Sequence, residues 1–283
     1  CIRDRVVRRE EEGIKRYMHM ATGNYNDVTA RLYTDMGLFT CNNEIGEDAS
    51  NIFNMLSGFS EPPYFHKLVI APLGIRDYLM DRIDEEITAA KAGRKALIQM
   101  KMNSLSDTAM IEKLYEASNA GVEIHLLIRG ICNLKVGIPG VSDNITVHSI
   151  VGQLLEHSRI YYFYADGQEN VYLSSADLMN RNLSRRVELL FPILQDDIRE
   201  RIIKIFSIMW ADNVKTRILQ PDSTWVRAQL RGVTKLNAQA YFIEHAEAMG
   251  EALRREEVDD APEDLHATHT FIPITAPKED DDA

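Results

Sequence analysis

The sequence has few cysteines, no long apolar run and no overall positive charge, and each shortage excludes a class of protein. Its three cysteines (Cys1, Cys41 and Cys132) lie far apart without metal-ligand spacing. We therefore predict reduced thiols in a cytoplasmic protein and not a disulfide framework. No apolar stretch approaches the ~18 residues of a membrane span, and the first residues lack the basic and apolar pattern of a leader. Neither a membrane span nor a secreted scaffold is expected.

The net charge of −11 would disfavour an anionic ligand if it were spread evenly over the 283 residues. It is not evenly spread: residues 244–283 contain thirteen acidic and three basic residues, which accounts for ten of the eleven net charges. The remainder is close to neutral, with the 45% hydrophobic content of a globular protein. A local basic pocket for phosphate is compatible with this distribution.

Strand-like and helix-like patterns alternate through the middle of the chain. Such alternation indicates βαβ units and a largely parallel sheet. An Asp at 107 and a Gly at 121 are typical of the two ends of a helix. The predicted strands are 67–72, 95–101, 122–130, 144–151, 154–163, 169–175 and 185–193, and the predicted helices are 76–93, 107–121, 196–212 and 236–257. The sequence therefore predicts an α/β fold.

Pro62 and Pro63 mark a predicted domain boundary, because neither residue continues a helix or donates into a sheet. Residues 1–61 are too few for a complete α/β domain and are interpreted as part of one. Residues 62–232 form the predicted second domain. A C-terminal helix over 233–257 and a disordered acidic tail over 258–283 follow.

Two features favour a site for phosphate. The stretch LLEHSRIYYF (154–163) places His157 and Arg159 two apart in an alternating run, and a strand puts such residues on the same face. A weak internal repeat relates 16–35 to 170–190, each an apolar strand followed by small residues and an Asn or Asp. Small residues before Asn let backbone N–H groups and an amide converge on an anion. Each pattern alone is also typical of an ordinary strand or turn.

Together the two features resemble one half of the catalytic repeat of the phospholipase D superfamily, in which two halves build one site. The match then narrows to one family. Six blocks, in order over about residues 6–230, are similar to the carboxy-terminal part of class 1 polyphosphate kinases: ATGNYNDVTARLYTDMGLFT, HKLVIAPLGIRDYL, KMNSLSD, EASNAGVEIHLLIRGIC, SDNITVHSIVGQLLEHSRIYYF and SSADLMNRNLSRRVELLFPI. The resemblance implies a phospholipase D-like mixed sheet flanked by helices, with the second half-repeat complete and the first truncated.

The resemblance also implies an activity. That family transfers the terminal phosphate of ATP reversibly to inorganic polyphosphate through a phosphohistidine, with Mg²⁺. ATP or ADP and polyphosphate are the expected partners, with no nucleic acid, and the full-length enzyme is expected to be a homo-oligomer. The phosphorylated histidine falls about one residue before Cys1, and Ile2 stands where the family has a lysine. The chain alone is therefore expected to be inactive.

Residue by residue, the resemblance assigns His157 as the second active-site histidine, Arg129 as a ligand of nucleotide phosphate and Tyr33 as a nucleotide contact. An imidazole shuttles protons near neutral pH, and a guanidinium offers two parallel donors to phosphate. No metal ligand is assigned in this chain. Further expected phosphate contacts are Asn24, Lys101, Asn103, Arg159, Arg181 and Arg186.

Two other functions remain open. The chain is alternatively a non-catalytic module that binds nucleotide or polyphosphate, in which case it binds without turnover. A phosphodiesterase or nuclease with phospholipase D chemistry is less favoured, because the chain contains only one His-x-Lys/Arg strand.

Overall fold

The computed structural model describes residues 2–11, 13–58, 64–228 and 232–246. The chain divides into two compact units, residues 1–239 and 240–283. Of the second unit, residues 240–246 are described and are helical. The helices of the described residues include none with the length and hydrophobicity needed to cross a membrane.

Strands and helices alternate through most of the first unit. The strands are β1 (Ile2–Glu10), β2 (Gly13–Ala21), β3 (Tyr33–Thr34), β4 (Gly37–Thr40), β5 (Val69–Ala71), β6 (Leu97–Met102), β7 (Glu123–Ile128), β8 (Ile145–Ile150), β9 (Leu155–Glu156), β10 (Arg159–Phe163), β11 (Asn170–Ser174), β12 (Glu188–Pro192), β13 (Thr216–Leu219) and β14 (Trp225–Arg227). The helices are α1 (Asn43–Leu56), α2 (Ile75–Lys91), α3 (Thr108–Asn119), α4 (Asn180–Ser184) and α5 (Asp196–Trp210).

The large sheet is mixed, with the strand order β14-β13-β8-β7-β6-β10-β11-β12-β5. Only β6, β7 and β8 run parallel, and every other neighbouring pair is antiparallel. The prediction of a largely parallel sheet was wrong, because only β6 and β7 are joined by a crossover helix of the expected kind, α3. β10 instead turns back into β11 through Ala165, Asp166 and Gly167, which have positive φ. The expected α/β fold, a mixed sheet flanked by helices, is confirmed.

Alternate side chains of the central strands pack on opposite faces of the sheet. Ile124, Leu126 and Ile128 of β7 belong to the main core, together with apolar residues of α2 and α3. His125, on the opposite face, stacks on Trp210 of α5. The sheet therefore lies between α2 and α3 on one face and α5 on the other, and its strand ends remain open.

The described part of the first 58 residues includes a smaller sheet of order β1-β2-β4 and an α-helix that was not predicted, α1. Asn42 caps this helix by accepting from the backbone N–H of Ile45 at 3.1 Å. The buried carboxylate of Asp48 accepts from the backbone N–H groups of residues 66–68. This carboxylate ties α1 to the segment that enters β5.

The stretch 154–163 is not one strand, as was predicted, but two. β9 pairs with β3 in a parallel two-stranded sheet, whereas β10 pairs with β6 and β11 in the large sheet. The backbone N–H groups of His157 and Ser158 both donate to the carbonyl of Thr34, at 3.1 and 3.0 Å. The strand breaks because the chain changes partners here, and His157 lies in the break.

Several boundary predictions fall wholly or partly outside the described residues. Pro62 and Pro63 lie there, as does the whole predicted tail, 258–283. Of the predicted C-terminal helix, residues 238–246 are helical. The division into domains at residues 61 and 232 stays a prediction.

The stack on Trp210 generates a prediction about acid stability. His148 and His125 flank the indole, with ring centroids at 3.8 and 4.4 Å. Within the described part of the chain, Nδ1 of His148 is buried without a hydrogen-bond partner. Burial first, and His125 second, lower the pKa of His148 from its ordinary 6.5 to about 4.

The unfolded chain therefore takes up a proton at this imidazole below pH 6.5, while the folded chain stays neutral there until about pH 4. We expect this site to reduce the free energy of unfolding by about 1 kcal/mol between roughly pH 7.5 and 5.5. His148→Phe keeps a ring on Trp210 and should abolish that part of the loss in urea unfolding. His245→Gln, which removes an exposed imidazole outside the stack, is the control. Equal pH dependence of His148→Phe and the unsubstituted chain would contradict the assignment.

Candidate functional site

A cavity of about 460 Å³ opens at one edge of the large sheet, where β6, β7 and β11 end and β10 and β12 begin. Ligands of α/β sheets characteristically bind beyond the carboxyl ends of strands. The loop that follows β2 completes the wall. The lining residues are Thr22, Asn24, Tyr33, Asn103, Arg129, His157, Arg159, Ser175, Asp177, Arg181, Asn182, Arg186, Val187 and Glu188.

His157 is held by a carboxylate that the sequence interpretation did not single out. Its Nδ1 lies 2.9 and 3.0 Å from the two carboxylate oxygens of Asp35. Asp35 is fixed in turn by the hydroxyl of Thr22, which donates to it at 2.8 Å. A Cβ on Gly23 would lie 2.0 Å from Oδ2 of Asp35, so only glycine fits this approach. Because a carboxylate accepts only, Nδ1 carries the proton of this hydrogen bond.

The same arrangement occurs a second time at the cavity. Thr22 exchanges backbone and hydroxyl bonds with Met36, and its hydroxyl donates to Asp35, thirteen residues on. Ser175 exchanges the equivalent bonds with Leu189, and its hydroxyl donates to Glu188, also thirteen residues on. The weak internal repeat in the sequence therefore has a structural counterpart. Two hydroxyl–carboxylate pairs flank one cavity.

Arg159 is buried and fully engaged by the protein. Its Nε and Nη2 donate to the two oxygens of Asp177, both at 3.2 Å, and its Nη1 donates to the carbonyl of Thr22. Nη1 also lies 3.0 Å from Nε2 of His157. Asp177 itself accepts from the backbone N–H of Asn103 at 2.8 Å. This pair therefore ties β6, β10 and the loop after β2 together around the imidazole.

Arg129 lies at the end of β7, as the sequence predicts for a residue that reaches the site. Nε donates to the carbonyl of Glu156 at 3.2 Å, and Nη2 donates to the side-chain oxygen of Asn103. Burial is the main cause that lowers the pKa of this guanidinium. The ring of Tyr33 packs against that of His157, with centroids 4.6 Å apart. Arg129, after β7, and Tyr33, in β3, thus line the same cavity although they are far apart in the sequence.

Arg181 and Arg186 are exposed at the mouth of the cavity, and neither forms an ion pair within the described ranges. The lining contains four guanidinium groups against two carboxylates, Asp177 and Glu188. This formal excess of two positive charges arises in a chain that is acidic overall. The cavity is therefore suited to an anion that brings several negative charges.

Lys101 is the one predicted site residue that does not line the cavity. Its side chain is 4% exposed, and Nζ donates to the carbonyl and hydroxyl oxygens of Ser158 at 2.9 and 2.8 Å. Oε2 of Glu156 lies 3.3 Å away. All three ammonium protons are thus directed at protein acceptors, and a direct contact with phosphate does not fit this placement.

The carboxylates at the site do not form a ligand set for Mg²⁺. Asp35 and Asp177 accept from His157 and Arg159, and Glu188 accepts from Ser175 and Asn182. Across residues 2–246 with their gaps, no group of three or more His, Cys, Asp or Glu side chains is arranged to hold a metal ion. The residues present do not fit a resident magnesium site.

Sequence reasoning missed Asp35, Asp177, Glu188 and the two hydroxyl residues that orient carboxylates. The sequence did contain a pattern for two of these carboxylates: a small hydroxyl residue precedes Asp35 and Glu188 by thirteen positions, one in each half of the repeat. Asp177 is the acid that follows the small residues in the second half of the repeat, but the repeat did not indicate its partner. Its importance comes from a contact with Arg159, eighteen residues away, that folding creates.

The buried pair Arg159–Asp177 should matter for stability as well as for the site. Asp177→Asn leaves a buried guanidinium without its carboxylate, and we expect it to lower the free energy of unfolding by about 2–4 kcal/mol. Asp196→Asn removes the carboxylate of an exposed pair with Arg199 and should have little effect. Urea unfolding of both variants measures the difference. Equal effects would show that the pair does not organise this edge of the sheet.

Comparison with known proteins assigns a family to this arrangement. The sequence model described as polyphosphate kinase C-terminal domain 1 matches residues 4–62, and that described as C-terminal domain 2 matches residues 68–239. The polyphosphate kinase of Lactiplantibacillus plantarum is 63% identical over 278 residues, which are 98% of this chain and 38% of that protein. That of Staphylococcus epidermidis is 48% identical over 93% of this chain and 36% of its own length.

A solved structure agrees with the sequence comparison. The crystal structure of polyphosphate kinase from Porphyromonas gingivalis superposes with a TM-score of 0.81 at 37% identity, covering 84% of this chain and 37% of that one. The chain spans less than two fifths of the length of these relatives. The resemblance seen in six blocks of sequence is confirmed: the chain belongs to the polyphosphate kinase family and matches its C-terminal region.

Proposed function

We propose that the chain supplies the His157 side of a site that transfers the terminal phosphate of ATP reversibly to inorganic polyphosphate. The observation that carries the proposal is the cavity itself, in which an imidazole oriented by a carboxylate lies among four arginines. Phosphoryl transfer needs mostly positioning and neutralisation of oxygens, and a cavity of this composition offers both.

His157 is the proposed proton-transfer group. With Nδ1–H directed at Asp35, Nε2 is the nitrogen proposed to take up a proton; once protonated, it can donate to a phosphoryl oxygen. Asp35 stabilises the imidazolium that forms when Nε2 takes a proton. Arg159 keeps the ring in place, since Nη1 approaches Nε2 while its other nitrogens hold Asp177.

The remaining arginines are proposed to bind phosphate. Nη1 of Arg129 has no protein partner among the described residues, while Nε and Nη2 fix the guanidinium plane. Arg181 and Arg186 lie at the mouth, where a chain of phosphates extends beyond the cavity. Tyr33 is the proposed nucleotide contact, and Asn24 and Asn103 line the same wall. The family resemblance implies Mg²⁺, which would be held by phosphate oxygens of the nucleotide and would neutralise part of their charge.

The repeated hydroxyl–carboxylate arrangement supports a site built from two halves. Asp35, from the first half, receives the imidazole of the second half. Glu188, from the second half, has the equivalent position and is proposed to receive an imidazole of the first half, the phosphohistidine. That histidine is expected upstream of Cys1, so the 283-residue chain is proposed to lack activity by itself. Two further proposals are a cytoplasmic location, from the few and widely spaced cysteines, and homo-oligomerisation of the full-length enzyme, from the family resemblance.

A chimera tests the transfer function. This chain would replace the region it matches in the Lactiplantibacillus plantarum enzyme, to which it is 63% identical. We expect the chimera to form polyphosphate from ATP and its His157→Ala variant to lose about two to four orders of magnitude in rate, the usual contribution of general acid–base catalysis. The isolated chain should form none.

The control is His245→Ala, which removes a histidine outside the cavity. Synthesis retained by His157→Ala would remove the role assigned to that imidazole. A folded chimera that binds polyphosphate without any turnover would instead favour the alternative function, a binding module.

Binding of polyphosphate to the isolated chain tests the arginines separately from turnover. In isothermal titration calorimetry we expect Arg181→Gln and Arg186→Gln each to weaken binding by about three- to tenfold, with less effect at high salt, because exposed charges are screened. Arg201→Gln, on the exposed side of α5, is the matched control. Equal affinities of all three variants would place the polyanion elsewhere.

A further inference from the structure

Lys101 contacts both chain neighbours of His157, which are Glu156 and Ser158. Its Nζ donates to the carbonyl and hydroxyl of Ser158 at 2.9 and 2.8 Å and lies 3.3 Å from Oε2 of Glu156. These two residues are the chain neighbours of His157. The ammonium group therefore fixes the backbone at the break between β9 and β10 from the side away from the cavity.

The contacts of Lys101 include a buried ion pair with Glu156, and Gln239 donates to the remaining oxygen of that carboxylate. Burial lowers the pKa of Lys101, and the charge of Glu156 opposes this effect. Glu156 is 6% exposed and accepts from the hydroxyl of Thr34 at 3.2 Å and from Nε2 of Gln239 at 2.8 Å. Gln239 also exchanges two hydrogen bonds with the backbone of Leu154. Every polar group of this network has a partner, so a single geometry is strongly favoured.

The break needs such support because His157 lacks the hydrogen bonds of a continuous strand. Its backbone N–H and that of Ser158 share one acceptor, the carbonyl of Thr34. The next residue, Asp35, accepts from the imidazole. Thr34 and Asp35 thus hold His157 from one side, and Lys101 holds both of its neighbours from the other.

We propose that Lys101 is a positioning residue, which sets the orientation of the His157 imidazole toward Asp35 without contacting substrate. The inference rests on the proposed function, because it matters for transfer only if His157 acts on phosphate. It replaces the phosphate contact expected for Lys101 from the sequence. Its distinguishing consequence is that loss of the ammonium changes the state of an imidazole that Lys101 does not touch.

The test is nitrogen-detected NMR of the whole chain labelled with ¹⁵N-histidine. His157→Gln identifies the resonances of His157. In the unsubstituted chain we expect an Nδ1–H signal protected by the bond to Asp35, with Nε2 unprotonated. Lys101→Met should lose that signal and show averaging between the two tautomers, because the ring no longer keeps one orientation.

The matched control is Arg76→Met, which breaks another ion pair to a buried carboxylate, that of Asp107. It should destabilise the fold and leave the His157 resonances unchanged. A folded Lys101→Met chain with the native His157 signal would overturn the proposal.

Lys101→Met leaves Glu156 charged and buried, which is destabilising. The double variant Lys101→Met with Glu156→Gln removes both charges; the new amide can accept from Nε2 of Gln239 and donate to the hydroxyl of Thr34. The double variant should fold and still lose the protected Nδ1–H signal, and retention of the signal in it would also overturn the proposal.

Titration with inorganic polyphosphate separates the two proposals. If the unsubstituted chain and the chimera both fail to bind it, the proposed function fails, while the NMR comparison still decides whether Lys101 orients His157. If polyphosphate binds and Lys101→Met or the double variant keeps the native tautomer, only the positioning role fails.

Discussion

The contact between the imidazole of His157 and the carboxylate of Asp35 joins residues 122 positions apart, and the site depends on it. It forms because β9, between two strands of the large sheet, pairs with β3 and so brings residues 33–35 beside residues 155–157. Thr22 fixes the carboxylate, and Gly23 gives it room. A histidine that would otherwise be one more polar residue in a strand thus acquires a defined tautomer and a defined direction.

Charge at this edge of the sheet is divided between groups that build the site and groups that remain available to a ligand. Arg159 and Lys101 are buried, and protein acceptors engage their donors. Buried ionic groups of this kind persist only when fully paired, and they fix geometry more than they add stability. Arg181 and Arg186 are exposed instead. Folding fixes the positions of the buried groups, so the site needs little reorganisation when a phosphate binds.

Sequence patterns predicted the regular elements of the large sheet well. The spacing of apolar residues gave α2, α3 and α5, and β-branched runs gave β7, β8 and β11, because these patterns report which side chains a helix or strand can bury together. They did not give strand direction. The reversal at β10 is set by the tight turn at 165–167, and the break before β10 is set by a partner, β3, that lies more than a hundred residues earlier.

Local motifs in the sequence indicated the family and predicted that His157 and Arg129 belong to one site, and both residues line the same cavity. The sequence also contained the repeated spacing of hydroxyl and acid, a local property of each half. Only the tertiary structure decided which cations face the cavity and which lie behind it. Lys101 lies near the end of β6 and Arg129 directly follows β7, yet Lys101 is buried against Ser158 and Arg129 lines the cavity. The difference arises from side-chain contacts between distant segments, and no local sequence pattern encodes them.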